Sequence, residues 1–100
     1  MKDTNYIEKQ PYIKVIREIG SVEKTSYKDK RNLYLYKDKL VTAYRTFNLE
    51  NVLDISYKVI QGKGGILFVH TNHGVYSYTL ETSPSSFISA FKRIKNLHYE

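Results

Sequence analysis

The amino-acid sequence predicts a mainly β domain capped by one C-terminal α-helix. Three observations carry that prediction. Residues 32–60, NLYLYKDKLVTAYRTFNLENVLDISYKVI, alternate tyrosines, leucines and valines with lysines and other polar residues, the period-two pattern of strands. Short polar or glycine-bearing breaks, KDK, QGKGG and NHG, separate the apolar runs at hairpin spacing. After Ser83 the apolar residues recur at three- and four-residue intervals instead, which marks an amphipathic helix.

Residues 1–11, MKDTNYIEKQP, are polar and read as a loose N-terminal arm ending at Pro11. YIKVIREIG, residues 12–20, reads as a strand with Ile13, Val15 and Ile19 on one face. Ile16 breaks that alternation and leaves a helical turn as the alternative. SVEKTSYKDKRN, residues 21–32, is charged throughout and reads as a loop. LYLY (33–36) forms a strand, KDK (37–39) turns, and LVTAYR (40–45) returns. TFNLEN is a link. Residues 52–60 then give the cleanest strand, with Leu53, Ile55, Tyr57 and Val59 toward the core and Asp54, Ser56 and Lys58 toward water.

The three glycines of QGKGG mark a turn. ILFVHT (66–71) is a buried type of strand. NHG turns tightly, with Gly74 suited to a positive φ. VYSYTL (75–80) places Tyr76, Tyr78 and Leu80 on the core face. The helix should span about Pro84 to Leu97, with Ser83 as N-cap and Pro84 at the first helical position. Phe87, Ile88, Phe91, Ile94 and Leu97 form its apolar face. Lys92, Arg93, Lys95 and His98 lie toward its C-terminus, where positive charge complements the helix dipole. In all, five or six strands precede one helix, and the short links favour antiparallel neighbours.

A chain of 100 residues makes one small domain with one core. Its 41% apolar and 26% charged residues suit a folded domain rather than global disorder. Ten tyrosines and four phenylalanines against no tryptophan fit half-buried strand positions, with the ring inside and the hydroxyl at the rim. The absence of cysteine excludes disulfides and thiolate chemistry and is compatible with a reducing compartment. No secretory signal pattern and no apolar run of membrane-spanning length is present, so the expected location is cytoplasmic. A net charge of +6 permits attraction to nucleic acid or anionic lipid headgroups, and equally suits a soluble basic protein.

The layout resembles the pleckstrin-homology-like fold, in particular its small bacterial versions. Three stretches carry the resemblance: LYLYKDKLVTAYRTFNLENVLDISYK, a hairpin leading through a Phe-x-Leu-x-x-Val link to a strand; GGILFVHTNHGVYSYTL, a hairpin with an aromatic return strand; and SPSSFISAFKRI, a proline-led helix with two phenylalanines. The resemblance implies a strongly bent antiparallel sheet or partly open barrel capped by the helix. It also implies a binding or assembly module rather than an enzyme, by analogy of fold. Some members of that fold bind anionic lipid headgroups through basic residues near the first hairpin loop. By order in the chain, the matching candidates for anion binding are Lys24, Lys28, Lys30 and Arg31.

No catalytic set of nucleophile, base and orienting group stands out, and no cofactor motif does. Ser85 and Ser86 read as N-terminal helix residues. His70 and His73 are close enough in sequence to share a metal, but neither cysteine nor a neighbouring carboxylate completes a site, and no metal is expected. QGKGGI departs from a phosphate loop, because Lys63 is followed by Gly64 and a strand rather than by Ser or Thr and a helix. The expected function is non-enzymatic, with a protein partner or a second copy binding at a free sheet edge or in a groove beside the helix. The alternative is anionic lipid or nucleic acid held by the basic loop, with tyrosines such as those of LYLYKDK stacking on bases.

Overall fold

The computed structural model describes residues 5–18, 25–60 and 64–98, and of 15–18, 25–27 and 97–98 the backbone alone. The first strand begins earlier than expected: β1 spans Glu8–Glu18. Residues 8–11 therefore belong to a strand and not to an arm. Gln10 is buried, and its amide donates to Thr82 Oγ1 at 3.1 Å. Tyr6 packs edge-on against Tyr34, with ring centroids 5.1 Å apart.

β2 (Thr25–Leu35) pairs antiparallel with β1 over eleven residues, from Glu8↔Leu35 to Glu18↔Thr25. Most of the expected loop is thus strand. Its reading as a loop rested on charge, yet Lys28, Asp29, Lys30 and Arg31 alternate about a regular ladder. Asp29 and Arg31 share a face with buried Leu33 and Leu35, and Lys28 and Lys30 point the other way. β3 (Lys39–Val41) is shorter than LVTAYR suggests. A tight turn over Thr42–Arg45 follows, and the presumed link contributes β4 (Thr46–Asn48) before a 3₁₀ turn at Leu49–Asn51.

β5 (Val52–Val59), β6 (Gly65–Thr71) and β7 (Gly74–Leu80) form an antiparallel meander. β6 alternates in burial without a break, with Leu67 and Val69 fully inside. Gly74 takes φ 132° in the NHG turn, as expected. Gly64 has φ 57°, and a Cβ there would stand 1.9 Å from the Leu80 carbonyl oxygen, so glycine is required.

In β5 the expected register is half right. Ile55 is buried and Tyr57 packs on the core, while Asp54 and Lys58 are exposed. Leu53 is 62% exposed and Val59 70% exposed, against expectation, and Val52 is buried in their place. The cause is a bulge between Val52 and Asp54, which gives β5 one extra residue against β6 and turns Leu53 outward.

The strand order is β4-β3-β2-β1-β7-β6-β5, a seven-stranded antiparallel sheet among the described residues. It is not closed. Its two halves join where β1 meets β7 at the single pair Ile13↔Thr79. The helix α1 (Ser85–His98) packs against β1 and β5. Ser85 N–H donates to Ser83 Oγ at 3.3 Å, which supplies the expected cap. Phe87, Phe91 and Ile94 are buried with Ala90, and Ile88 packs beside them. Lys95, read as a charge for the helix end, is itself buried, with its Nζ donating to the Leu49 carbonyl at 2.7 Å. This mainly β sheet with one terminal helix is the arrangement that the pleckstrin-homology-like resemblance implies. Ile19, the side chains of Val15 and Leu97, residues 1–4 and residues 61–63 of QGKGG lie outside the described residues.

Candidate functional site

Where β1 and β7 part on either side of Ile13↔Thr79, the sheet leaves a cleft of about 460 Å³. Its walls come from Tyr12, Ile13 and Lys14 on β1, from Tyr76–Thr79 on β7, and from Thr42, Tyr44 and Arg45. The turn that carries the last three is shaped by Thr42. Its hydroxyl accepts the N–H groups of Tyr44 at 3.2 Å and Arg45 at 3.1 Å, and its own N–H donates to the Arg45 carbonyl at 2.9 Å. That side-chain bonding ends β3 and aims Tyr44 and Arg45 at the cleft.

Cations lie on the tyrosine faces. Lys14 Nζ is 4.8 Å and Arg31 Cζ 4.4 Å from the Tyr44 ring centroid, and Arg45 Cζ is 4.5 Å from that of Tyr76. Register brings them together, because Tyr12 pairs with Arg31 and Lys14 with Asp29 across β1 and β2. Arg31 Nε donates to Asp29 Oδ2 at 2.9 Å. The Asp29 hydrogen bond, then that of Tyr44, raises the Arg31 pKa above its ordinary value, so the guanidinium is held charged. Tyr12 and Tyr78 meet edge-on at 5.1 Å. Burial, then the electrostatic effect of Tyr12, raises the Tyr78 pKa, while Arg45 and a hydrogen bond with Thr42 oppose the rise.

Of the basic residues named from the sequence, none that is described lines this cleft; Arg31 comes nearest, lying on the Tyr44 ring beside it. Lys28 forms an ion pair with Glu81 at 3.0 Å. Lys30 is exposed on the opposite face of β2, and Lys24 lies outside the described residues. Lys28 and Lys30 thus share one face of β2, and Arg31 takes the other. Lys14, Tyr44 and Arg45 line the cleft, and they come from distant segments. Only the cross-strand register would have grouped them.

The second region of note is the outer edge of β5. Among the described residues the sheet ends there, and Leu53, Val59 and Ile60 (42%) are exposed along it. The other terminal strand, β4, has three residues.

Ser56 Oγ and His70 Nε2 lie 2.8 Å apart on the outer face of the sheet, a nucleophile and a base within hydrogen-bond reach. Among the described residues no hydrogen bond orients the other nitrogen of His70, and the pair stands on an open face. Acyl transfer needs an orienting group and an enclosed site, so the contact reads as a cross-strand pair. His73 is exposed at the turn, and no group of three His, Cys, Asp or Glu residues is clustered for a metal among the described residues. No described helix is long and apolar enough to cross a membrane. No family model, curated protein or solved structure matches the chain.

Proposed function

We propose that the chain is a non-enzymatic binding module of the pleckstrin-homology-like kind, acting in the cytoplasm, that engages a protein partner along β5. One observation carries this reading: β5 is an eight-residue strand at the end of the sheet, with exposed apolar side chains along it. An extended peptide adds to such an edge through main-chain hydrogen bonds, and side-chain contacts set its specificity. Peptides selected from a random library on the folded domain test the proposal by amide NMR. Shifts are expected at residues 52–59. Shifts confined to the β1–β7 cleft would overturn it.

The cleft supports a second reading, in which an anionic lipid headgroup or nucleic acid is bound. Lys14, Arg31 and Arg45 around tyrosine rings suit an anion that presents hydrogen-bond acceptors. Binding to anionic vesicles or to an oligonucleotide would then fall steeply with salt. Tight binding at physiological salt, abolished by Lys14→Ser with Arg45→Ser, would promote this reading over the first. Replacing Lys28, Lys30 and Arg31 together is a poor test, because the Arg31 side chain is only 16% exposed and is bonded to Asp29.

A further inference from the structure

We infer that the partner on β5 is a second copy of this chain, paired antiparallel about Ser56; the inference rests on β5 being the binding edge. Two identical edges can pair antiparallel only about a twofold axis, which makes the interface self-complementary. The sequence of β5 and the residue after it, VLDISYKVI, selects one register. With Ser56 opposite Ser56 of the other copy, residue Asp54 faces Lys58, and Lys58 faces Asp54. Both side chains are exposed in the single chain, and both lie on the outer face with Ser56. Ile55 and Tyr57 fall opposite one another on the core face, so the pairing spans Asp54 to Lys58, the regular part of β5 beyond the bulge.

Moving the twofold by one residue in either direction loses both charge pairs. A twofold at Ile55 places Asp54 opposite Ser56 and Lys58 opposite Val52. A twofold at Tyr57 places Lys58 opposite Ser56 and Asp54 opposite Ile60. Charges on edge strands usually oppose self-pairing. Here the two charges have opposite sign and sit at symmetric positions, so they favour this pairing and disfavour the shifted ones. The result is one continuous sheet through both copies.

The full chain in solution tests this by sedimentation across a dilution series. The expected result is a reversible dimer. Asp54→Lys alone and Lys58→Asp alone each place like charges opposite one another twice, and each should weaken the dimer about tenfold or more. An equimolar mixture of the two variants should pair as a heterodimer with near-parental affinity, because each copy then presents the charge the other needs. Both positions are exposed, so circular dichroism should show the parental fold. A dimer indifferent to either variant, or a mixture that fails to associate, overturns this register. A parent that stays monomeric throughout overturns self-pairing. Peptide-induced shifts on β5 in such a monomer would show that the edge still binds a foreign strand.

Discussion

The β5–β6–β7 meander and the β1–β2 ribbon are both antiparallel, but the meander reads as strands throughout in the sequence, whereas residues 8–11 and 25–32 of the ribbon do not. α1 packs against β5 of the meander and β1 of the ribbon. Burial of Leu67, Val69 and Leu80 imposes an apolar-polar alternation on the meander. The ribbon continues past Ile13, where β7 meets it, and there Lys14 and Asp29 share one face while Lys28 takes the other. Alternation reports one-sided burial rather than strand geometry, so a strand that leaves the core loses the signal while keeping the ladder. Eleven cross-strand pairs hold the ribbon regardless.

If the covered half carries most of the stability, a cut under the helix should have the largest effect. Phe91→Ala removes a fully buried ring between α1 and the sheet, and should cost about 3–5 kcal/mol in urea unfolding. That is a large share of what a domain this size has. A loss below about 1 kcal/mol would mean that the helix face is not core. Lys95→Ala comes next. It leaves the Leu49 carbonyl without its 2.7 Å donor at the joint between helix and 3₁₀ turn, and should cost about 1–3 kcal/mol. A neutral result would show that this buried contact is dispensable.

The same contrast explains what could be read in advance. The helix was legible to within a residue at its start, because Ser83, Pro84 and the Phe87–Phe91–Ile94 spacing are all local signals. Gly74 and the order of β5, β6 and β7 were legible for the same reason. β4 was not, since three residues are too few to show a period. Nor was the exposure of Leu53, because a bulge needs the partner strand to define it. The cleft was the least legible feature. Lys14, Arg31 and Arg45 lie on three separate segments, and only Arg31 fell within the stretch singled out for its charge.

The cleft offers a smaller and pH-dependent test. Burial raises the Tyr78 pKa, so the folded state holds that proton more tightly than the unfolded chain does. Its contribution is fully present below the tyrosine's ordinary pKa of about 10 and is lost as pH rises through the higher folded value. Tyr78→Phe, which removes the hydrogen bond with Thr42, should lower stability by about 1 kcal/mol at neutral pH. Above about pH 10 the parent should lose stability faster than the variant. Parallel stability curves for the two proteins through that range would remove the argument that Tyr78 is held neutral by its surroundings.

The smallest effect should come from Leu53, and it separates alternation from burial most directly. By alternation alone Leu53 is a core residue, and Leu53→Ser would open a cavity costing about 2–5 kcal/mol. The bulge turns it outward to 62% exposure, where the same change should stay within about 0.5 kcal/mol in urea unfolding of the dilute chain. A large loss would mean that the side chain is covered and the bulge is absent. A small loss leaves an exposed leucine on a free sheet edge, with no packing role in the single chain. In the antiparallel pairing inferred about Ser56, Leu53 would lie on the outer face next to the Asp54–Lys58 pairs, at both ends of the seam. Leu53→Ser should weaken association in the same sample whose unfolding it leaves unchanged, and only an interface residue separates those two measurements in that way.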